Sequence, residues 1–318
     1  MNTRVEIVVP KLPEFKDIED ALDSAEATVV QLSFLFNPFQ NDSDIGRLNA
    51  AQPGEWVTVD PMTMRVAQAA LRWHELSEGI FDPTMGAIKG LYSFNGRELT
   101  AWPDEESLSR FKKGLAEKRL TLDSDNQRIR RERSDVRIDF GGIAKGFAAD
   151  VVAEQLRTGG IDVAYINLGG EIRVLGRNPH TEDGKWRIGL ASPRPGAESF
   201  VTEISERGMA SSGDYERYFT HLGKRYSHVI DPRTCEPASE HVAGVTVSIP
   251  NSSTDADALA TILCVLGKRE GGEYLSRLAR MENFRGADVV MFVADDNGAV
   301  AGFYMCVNDD GTVSEINL

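Results

Sequence analysis

The sequence predicts an α+β fold, and three observations lead there. Stretches with helical periodicity and short β-branched runs both occur, yet they do not alternate in the strict strand–helix order of a doubly wound sheet. Val163 to Val247 is a succession of β-rich runs punctuated by Gly, Pro and Asp, which reads as hairpins rather than crossovers. No internal repeat of roughly 20–50 residues is present, so solenoids and propellers are excluded.

The elements follow in order. Thr3 to Val9 is short and β-branched and reads as a strand ended by Pro10. From Asp17 to Leu35 apolar residues recur at helical spacing (Ile18, Leu22, Ala25, Val29, Leu32), and Pro38 stops the pattern. Asn37 to Ser43 is a polar loop. Pro61 to Leu76 reads as a second helix, ended by Gly79. Phe81 to Phe94, rich in Gly, Pro and aromatics, reads as an ordered loop. Leu120–Leu122 and Arg128–Glu132 form a hairpin around Asp125-Asn126, and Val136 to Phe140 reads as a further strand. A helix is expected from Ala144 to Leu156, then helices at Asp255–Leu266 and Gly271–Met281, and strands near Val289–Val293 and Ala301–Met305.

At about 150 residues per domain, 318 residues make one large domain or two ordinary ones. No Pro/Gly/Ser-rich linker divides them, so residues 1–318 are expected to form one compact unit. With 35 basic and 49 acidic side chains the net charge is −14, which disfavours nucleic acid as the main partner because no basic tract is there to release phosphate counterions. The three cysteines, Cys235, Cys264 and Cys306, are widely spaced with no CxxC pair, arguing against a disulfide framework or a cysteine-built zinc site. No basic segment precedes an apolar run at the N-terminus, and no run reaches the roughly 18 apolar residues of a membrane span. The expectation is a cytoplasmic protein.

Several segments carry chemistry. In Val136-Arg137-Ile138-Asp139-Phe140-Gly141-Gly142-Ile143-Ala144-Lys145-Gly146 a strand enters paired glycines and then a helix. Glycines admit a ligand close to the backbone, and the amides of a helix N-terminus attract anions. The segment lacks GxGxxG and the Ser/Thr of a Walker A loop, and a tight strand-to-helix turn explains it equally well. In Thr254-Asp255-Ala256-Asp257-Ala258-Leu259-Ala260-Thr261, Thr254 is the expected helix cap. Asp257 and Thr261, four apart, share a face and offer oxygen ligands to a hard ion such as Mg²⁺. Capping alone also accounts for acidic residues there. His228, one of five histidines, is expected in a strand with Tyr226 and Ile230 on its face, as a general base or as a half-buried structural histidine. Gly169-Gly170-Glu171 is a further glycine-rich turn or a hairpin. Met209-Ala210-Ser211-Ser212-Gly213-Asp214-Tyr215 is either a small-residue strand end that could approach a flat ligand closely or a turn with Ser/Asp chemistry.

Taken in order, these segments resemble the ApbE family of flavin transferases along nearly the whole chain. The resemblance adds Met1-Asn2-Thr3, Asp42-Ser43-Asp44-Ile45-Gly46-Arg47-Leu48-Asn49, Phe81-Asp82-Pro83-Thr84-Met85-Gly86, Asn167 to Ile172 and Tyr226 to Thr234. It implies a unit of mixed, mostly antiparallel sheet with packed helices. It also implies an enzyme that moves FMN from FAD to a Ser or Thr hydroxyl of an acceptor flavoprotein, with Mg²⁺ as cofactor and AMP as the leaving product. By the same resemblance Asp257 and Thr261 are metal ligands, a backbone oxygen around Gly142 completes the protein's share, and Ala260 lies in that motif. Asp139, Lys145, Phe81 and Asp82 match FAD contacts. His228 matches the histidine that activates the acceptor hydroxyl, Ile230 lines the same site, and Met1 matches the methionine of a Met-Gly-Thr opening.

The chain departs from the family pattern in places. Asn2 replaces a glycine, and Phe39 stands where a tyrosine near the flavin is common, keeping ring stacking but losing a phenol hydrogen bond. Lys89-Gly90-Leu91-Tyr92-Ser93-Phe94 differs from the usual Asn-Leu-Trp-Gly-Phe run. Cys235 replaces the glycine after Asp-Pro-Arg-Thr, and if that position needs a positive φ the cysteine strains the turn. Two other activities suit the same motifs: an Mg²⁺-dependent FAD pyrophosphatase giving FMN and AMP, and a non-catalytic FAD-binding protein.

Overall fold

The protein is described from a computed structural model, which covers residues 3–92, 94, 98–113, 119–190, 200–214, 218–238, 242–295 and 299–318. Seven α-helices occur among the described residues: α1 (Ile18–Leu35), α2 (Asp44–Ala50), α3 (Pro61–Leu76), α4 (Gly86–Lys89), α5 (Glu105–Lys113), α6 (Ala144–Thr158) and α7 (Ser253–Leu278). The chain divides into two compact units, one comprising mainly Gln31–Ala144 and Asp214–Ser239, the other Asn2–Val30, Lys145–Gly213 and Glu240–Leu318. Each gathers segments distant in sequence, which is why no linker marks the division.

The second of these units carries the large sheet. Its eight strands lie in the order Val5–Val8, Ala164–Leu168, Glu171–Leu175, Arg207–Gly213, Val242–Pro250, Asp288–Ala294, Val300–Val307 and Val313–Asn317. Every neighbouring pair in this sheet is antiparallel, so the fold is the expected α+β with mostly antiparallel sheet. Helix α7 packs on Arg207–Gly213 and Val242–Pro250. Its apolar residues Leu259, Ile262, Leu263 and Leu266 are buried there with Val245 and Val247. The helix begins at Ser252, whose hydroxyl accepts from Asp255 N at 3.0 Å, so the cap is Ser252 and not Thr254. Gly267, at φ 65 and ψ −166, interrupts α7 between the two helices that the sequence pattern separates. The strand backbone meets α7 at Gly208, where a Cβ would stand 2.1 Å from Ser253 N.

The other unit is built on α2 to α5, a three-stranded sheet of Val57–Thr58, Arg128–Arg131 and Leu120–Asp123, and two short hairpins. Asp60 caps α3 by accepting from Met62 N at 2.8 Å, and Pro61 occupies the first helical position, where its missing N–H costs nothing. Val136 to Phe140 is extended but forms no strand ladder; its single bridge joins Arg137 to Met85. Its hydrogen bonds go elsewhere. Ile138 exchanges backbone bonds with the Asn49 amide side chain at 2.7 and 3.0 Å, while Arg137 O and Asp139 N bond to Gly86 N and Pro83 O. The segment expected to be loop from Phe81 to Phe94 contains α4, seated by these bonds. The aromatic core of this unit joins Tyr92, Phe94, Trp102, Phe219 and Tyr226.

Candidate functional site

In the large-sheet unit the sequence-predicted residues cluster where α6 meets α7. Gly146 stands in the first turn of α6, and a Cβ there would lie 2.2 Å from Ser253 O and 2.8 Å from Asp257 Cβ. Only glycine admits this approach. It allows Gly146 N to donate to Asp257 Oδ2 at 3.0 Å, so a carboxylate that is 2% exposed is held by the amide of the neighbouring helix. Thr261 follows Asp257 by one turn and is half-buried; Ala260 between them is fully buried. A carboxylate and a hydroxyl on one helix face are hard oxygen donors, the type that Mg²⁺ selects. The donor set therefore fits that ion. Among the described residues no group of three or more His, Cys, Asp and Glu side chains gathers as a metal cluster, and a site of this kind needs none.

Lys145, one residue earlier, pairs with the buried Glu171 at 2.5 Å. Glu171 opens the strand that follows the Gly169-Gly170 turn, so that turn fixes the carboxylate that holds the lysine. Asp150, a further turn along α6, accepts from Ser253 N, Thr254 N and the Thr254 hydroxyl at 2.9, 2.8 and 2.6 Å. Burial pushes its pKa up despite those bonds and the Arg173 guanidinium at 3.4 Å.

In the other unit His228 lies in a bend between strands Lys224–Ser227 and Ile230–Asp231, rather than within one strand as expected. The pairing of Tyr218–His221 with Lys224–Ser227 ends at Ser227, whose hydroxyl then accepts from Val229 N at 3.2 Å and turns the chain. The His228 ring meets the Phe94 ring edge-on at 6.4 Å. A proton on His228 favours the ionised form of Asp139. Burial works to raise the Asp139 pKa, but the Lys89 ammonium at 3.0 Å, the Gly141 N–H at 2.7 Å and His228 together outweigh it and hold the carboxyl below its ordinary range. Ile230 is buried beside Met85, Ile88 and Tyr92.

Other expected FAD contacts have varied settings. Phe39 is 94% exposed, on a loop where Asn37 Oδ1 accepts from Phe39 N at 3.0 Å. Phe81 is buried, its backbone bonded to the Ser77 hydroxyl and the His74 ring. Asp82 is bonded to the Thr84 amide and hydroxyl and to Arg119 at 2.9 Å, so its carboxylate sets the Asp82–Gly86 loop. Gly142 is half-buried in the turn before α6. Met1 lies outside the described residues, as do Asn2 and Ser93. Cys235 has a φ of 59, the positive value that strains a side chain at this position.

The pairing roles of Lys89, Arg119, Asp150 and Glu171 have no signal in the sequence, because each partner lies far along the chain. Glu171, directly after paired glycines, is marked as a strand-opening residue but not as the partner of Lys145.

The comparisons with known proteins agree with one another. The family model of the ApbE family matches residues 1–284. An FAD:protein FMN transferase of Vibrio cholerae is 33% identical over 276 residues, which span 85% of this chain and 80% of that one. One from Haemophilus influenzae is 32% identical over 289 residues, 89% of this chain and 81% of its own. Among solved structures, the flavin transferase ApbE from Vibrio cholerae superposes with a TM-score of 0.78 at 28% identity, covering 100% of this chain and 94% of that one. The ApbE protein of Thermotoga maritima gives 0.79 at 30% identity, covering 94% and 93%.

Proposed function

The chain belongs to the ApbE family, and from that premise we propose that it is a flavin transferase that moves FMN from FAD to a Ser or Thr hydroxyl of an acceptor flavoprotein. The family and the relatives' names support flavin transfer to a target protein. The finer reading has two supports: the oxygen donors of this chain for a magnesium ion, and the resemblance, with His228 as the base, for a hydroxyl acceptor. One observation carries the magnesium reading: Asp257, buried and held by Gly146 N at 3.0 Å, with Thr261 one turn on, is a hard-cation donor set on one helix face.

Asp257 and Thr261 would hold the ion. When bound, Mg²⁺ supplies charge neutralisation to a diphosphate under attack. The protein's own groups do the rest. His228 accepts the proton of the acceptor hydroxyl as its oxygen bonds to the FMN phosphorus of FAD. The bond between that phosphorus and the bridging oxygen breaks, and AMP leaves with the bridging oxygen. The glycine turn at Gly141-Gly142 brings backbone close to the ligand, and the exposed ring of Phe39 offers a stacking surface.

The test is incubation of the purified chain with FAD, Mg²⁺ and a candidate acceptor. A fluorescent acceptor band in a denaturing gel is the expected result. Free FMN and AMP would identify an FAD pyrophosphatase instead, and unchanged FAD a carrier. His228→Ala should slow transfer by about 10²–10⁴-fold with FAD still bound; a variant as fast as wild type would remove His228 from the role of base. Asp257→Ala should abolish turnover of either kind, and retained turnover would sink the metal assignment.

A further inference from the structure

Lys89 belongs to no motif of the flavin site, and it stands in the run where this chain departs from the family pattern. Its position is nevertheless closely determined. Gly86, the first residue of α4, packs directly on the extended segment before the glycine turn: a Cβ on Gly86 would lie 2.9 Å from Arg137 O and 3.3 Å from Asp139 Cβ. One helical turn later, Lys89 reaches Asp139 and donates to its Oδ2 at 3.0 Å. The other oxygen, Oδ1, accepts from Gly141 N at 2.7 Å. A Cβ on Gly141 would meet that Oδ1 at 2.8 Å and Lys89 Nζ at 3.7 Å, so ammonium, carboxylate and glycine turn are one assembly. Gly141 itself is exposed.

The chemistry of the ligand gives this assembly a purpose. FAD carries a negatively charged diphosphate, and a bare carboxylate beside an exposed glycine turn would repel it. A partner ammonium cancels that charge without removing the oxygen that holds Gly141. We propose that Lys89 is a positioning residue of the flavin site, acting through Asp139: it keeps Oδ1 on the Gly141 amide and neutralises the carboxylate that the flavin approaches. This rests on the flavin-transfer reading above, and specifies which cation of the chain prepares the glycine turn for an anionic ligand.

The experiment measures the FAD dissociation constant of the full chain by flavin fluorescence quenching, alongside KM and kcat for transfer. The variants are Lys89→Met, Lys89→Arg, Asp139→Asn and the double Lys89→Met/Asp139→Asn, each checked by thermal melting. Lys89→Met should weaken FAD binding about five- to tenfold and raise KM for FAD, with kcat at saturating FAD held. Lys89→Arg should restore affinity to within about twofold, because only a cation on Asp139 is required. On the Asp139→Asn background, Lys89→Met should change affinity by less than about twofold. Wild-type affinity in Lys89→Met overturns the proposal. So do losses that multiply in the double variant, since Lys89 would then act on the ligand itself, and so does a failure of arginine to rescue a folded protein. A wild-type chain that neither binds FAD nor transfers FMN overturns the flavin reading as a whole, a result distinct from all of these.

Discussion

Gly146 and Asp257 sit on different helices, and the amide of one donates to the carboxylate of the other at 3.0 Å. The contact exists because α6 has no side chain at that point: a Cβ on Gly146 would enter the space of Ser253 O at 2.2 Å. Gly146→Ala should therefore destabilise by about 1–3 kcal/mol and lose transfer activity, as the helices separate and Asp257 loses its donor. Gly272, also helical, has nothing within 4 Å of its added Cβ. Gly272→Ala should be neutral or stabilising by about 0.5–1 kcal/mol. Thermal melts of the pair separate close approach from helix propensity, and equal behaviour would refute the steric account.

Arg119 and Asp82 form an ion pair at 2.9 Å with side-chain exposures of 10% and 2%. Removing the cation alone strands a buried carboxylate, which costs about 3–5 kcal/mol in comparable pairs. Arg119→Met should fall in that range by urea unfolding. Adding Asp82→Asn should recover part of the loss, because an amide keeps the acceptor for Thr84 and carries no charge. A double variant as weak as the single one would show that the arginine acts by packing and not by charge.

Cys235 combines a φ of 59 with full burial against the unit's aromatic core. Burial also pushes its thiol pKa up to about 11, so it stays protonated and unreactive at neutral pH. Alanine keeps the strained backbone and loses the sulfur, whereas glycine loses the sulfur and relieves the strain, which is about 1–2 kcal/mol for a side chain in the left-handed region. Cys235→Gly should thus be more stable than Cys235→Ala by about 1 kcal/mol, the reverse of the usual order of the two residues. Urea midpoints of both variants decide it. Alanine above glycine would mean that the turn carries no strain.

Long elements and local chemistry were legible in the sequence. The apolar spacing of α1 and the Asp60-Pro61 start of α3 report local preferences that the fold leaves unchanged. Helices α2 and α4, of seven and four residues, are too short for a periodic pattern to appear. Val136 to Phe140 has strand composition, yet its hydrogen bonds go to a side chain and a loop, which β-propensity does not encode. In the same way, the spacing of Asp257 and Thr261 along one helix face can be read directly. The pairs Lys89 with Asp139 and Lys145 with Glu171 are tertiary contacts, and single positions carry no mark of them.

Asp139 and Asp150 should make opposite contributions to the pH dependence of stability. Burial opposes ionisation of Asp139, but Lys89, Gly141 and His228 prevail, so its folded pKa lies below the ordinary 3.8. Its contribution is present above 3.8 and is lost as pH falls below that value through the folded pKa. The folded pKa of Asp150 is raised above 3.8 by burial. The folded state therefore takes up its proton first, and stability from this group rises as pH falls through the folded pKa toward 3.8. Urea unfolding of wild type, Asp139→Asn and Asp150→Asn between about pH 3 and pH 7 reads both signs. Relative to wild type, Asp139→Asn should gain on acidification, because it has no such contribution to lose. Asp150→Asn should fall behind over the window above 3.8, where wild type gains. Curves that shift in the same direction would contradict the charge environments of the two carboxylates.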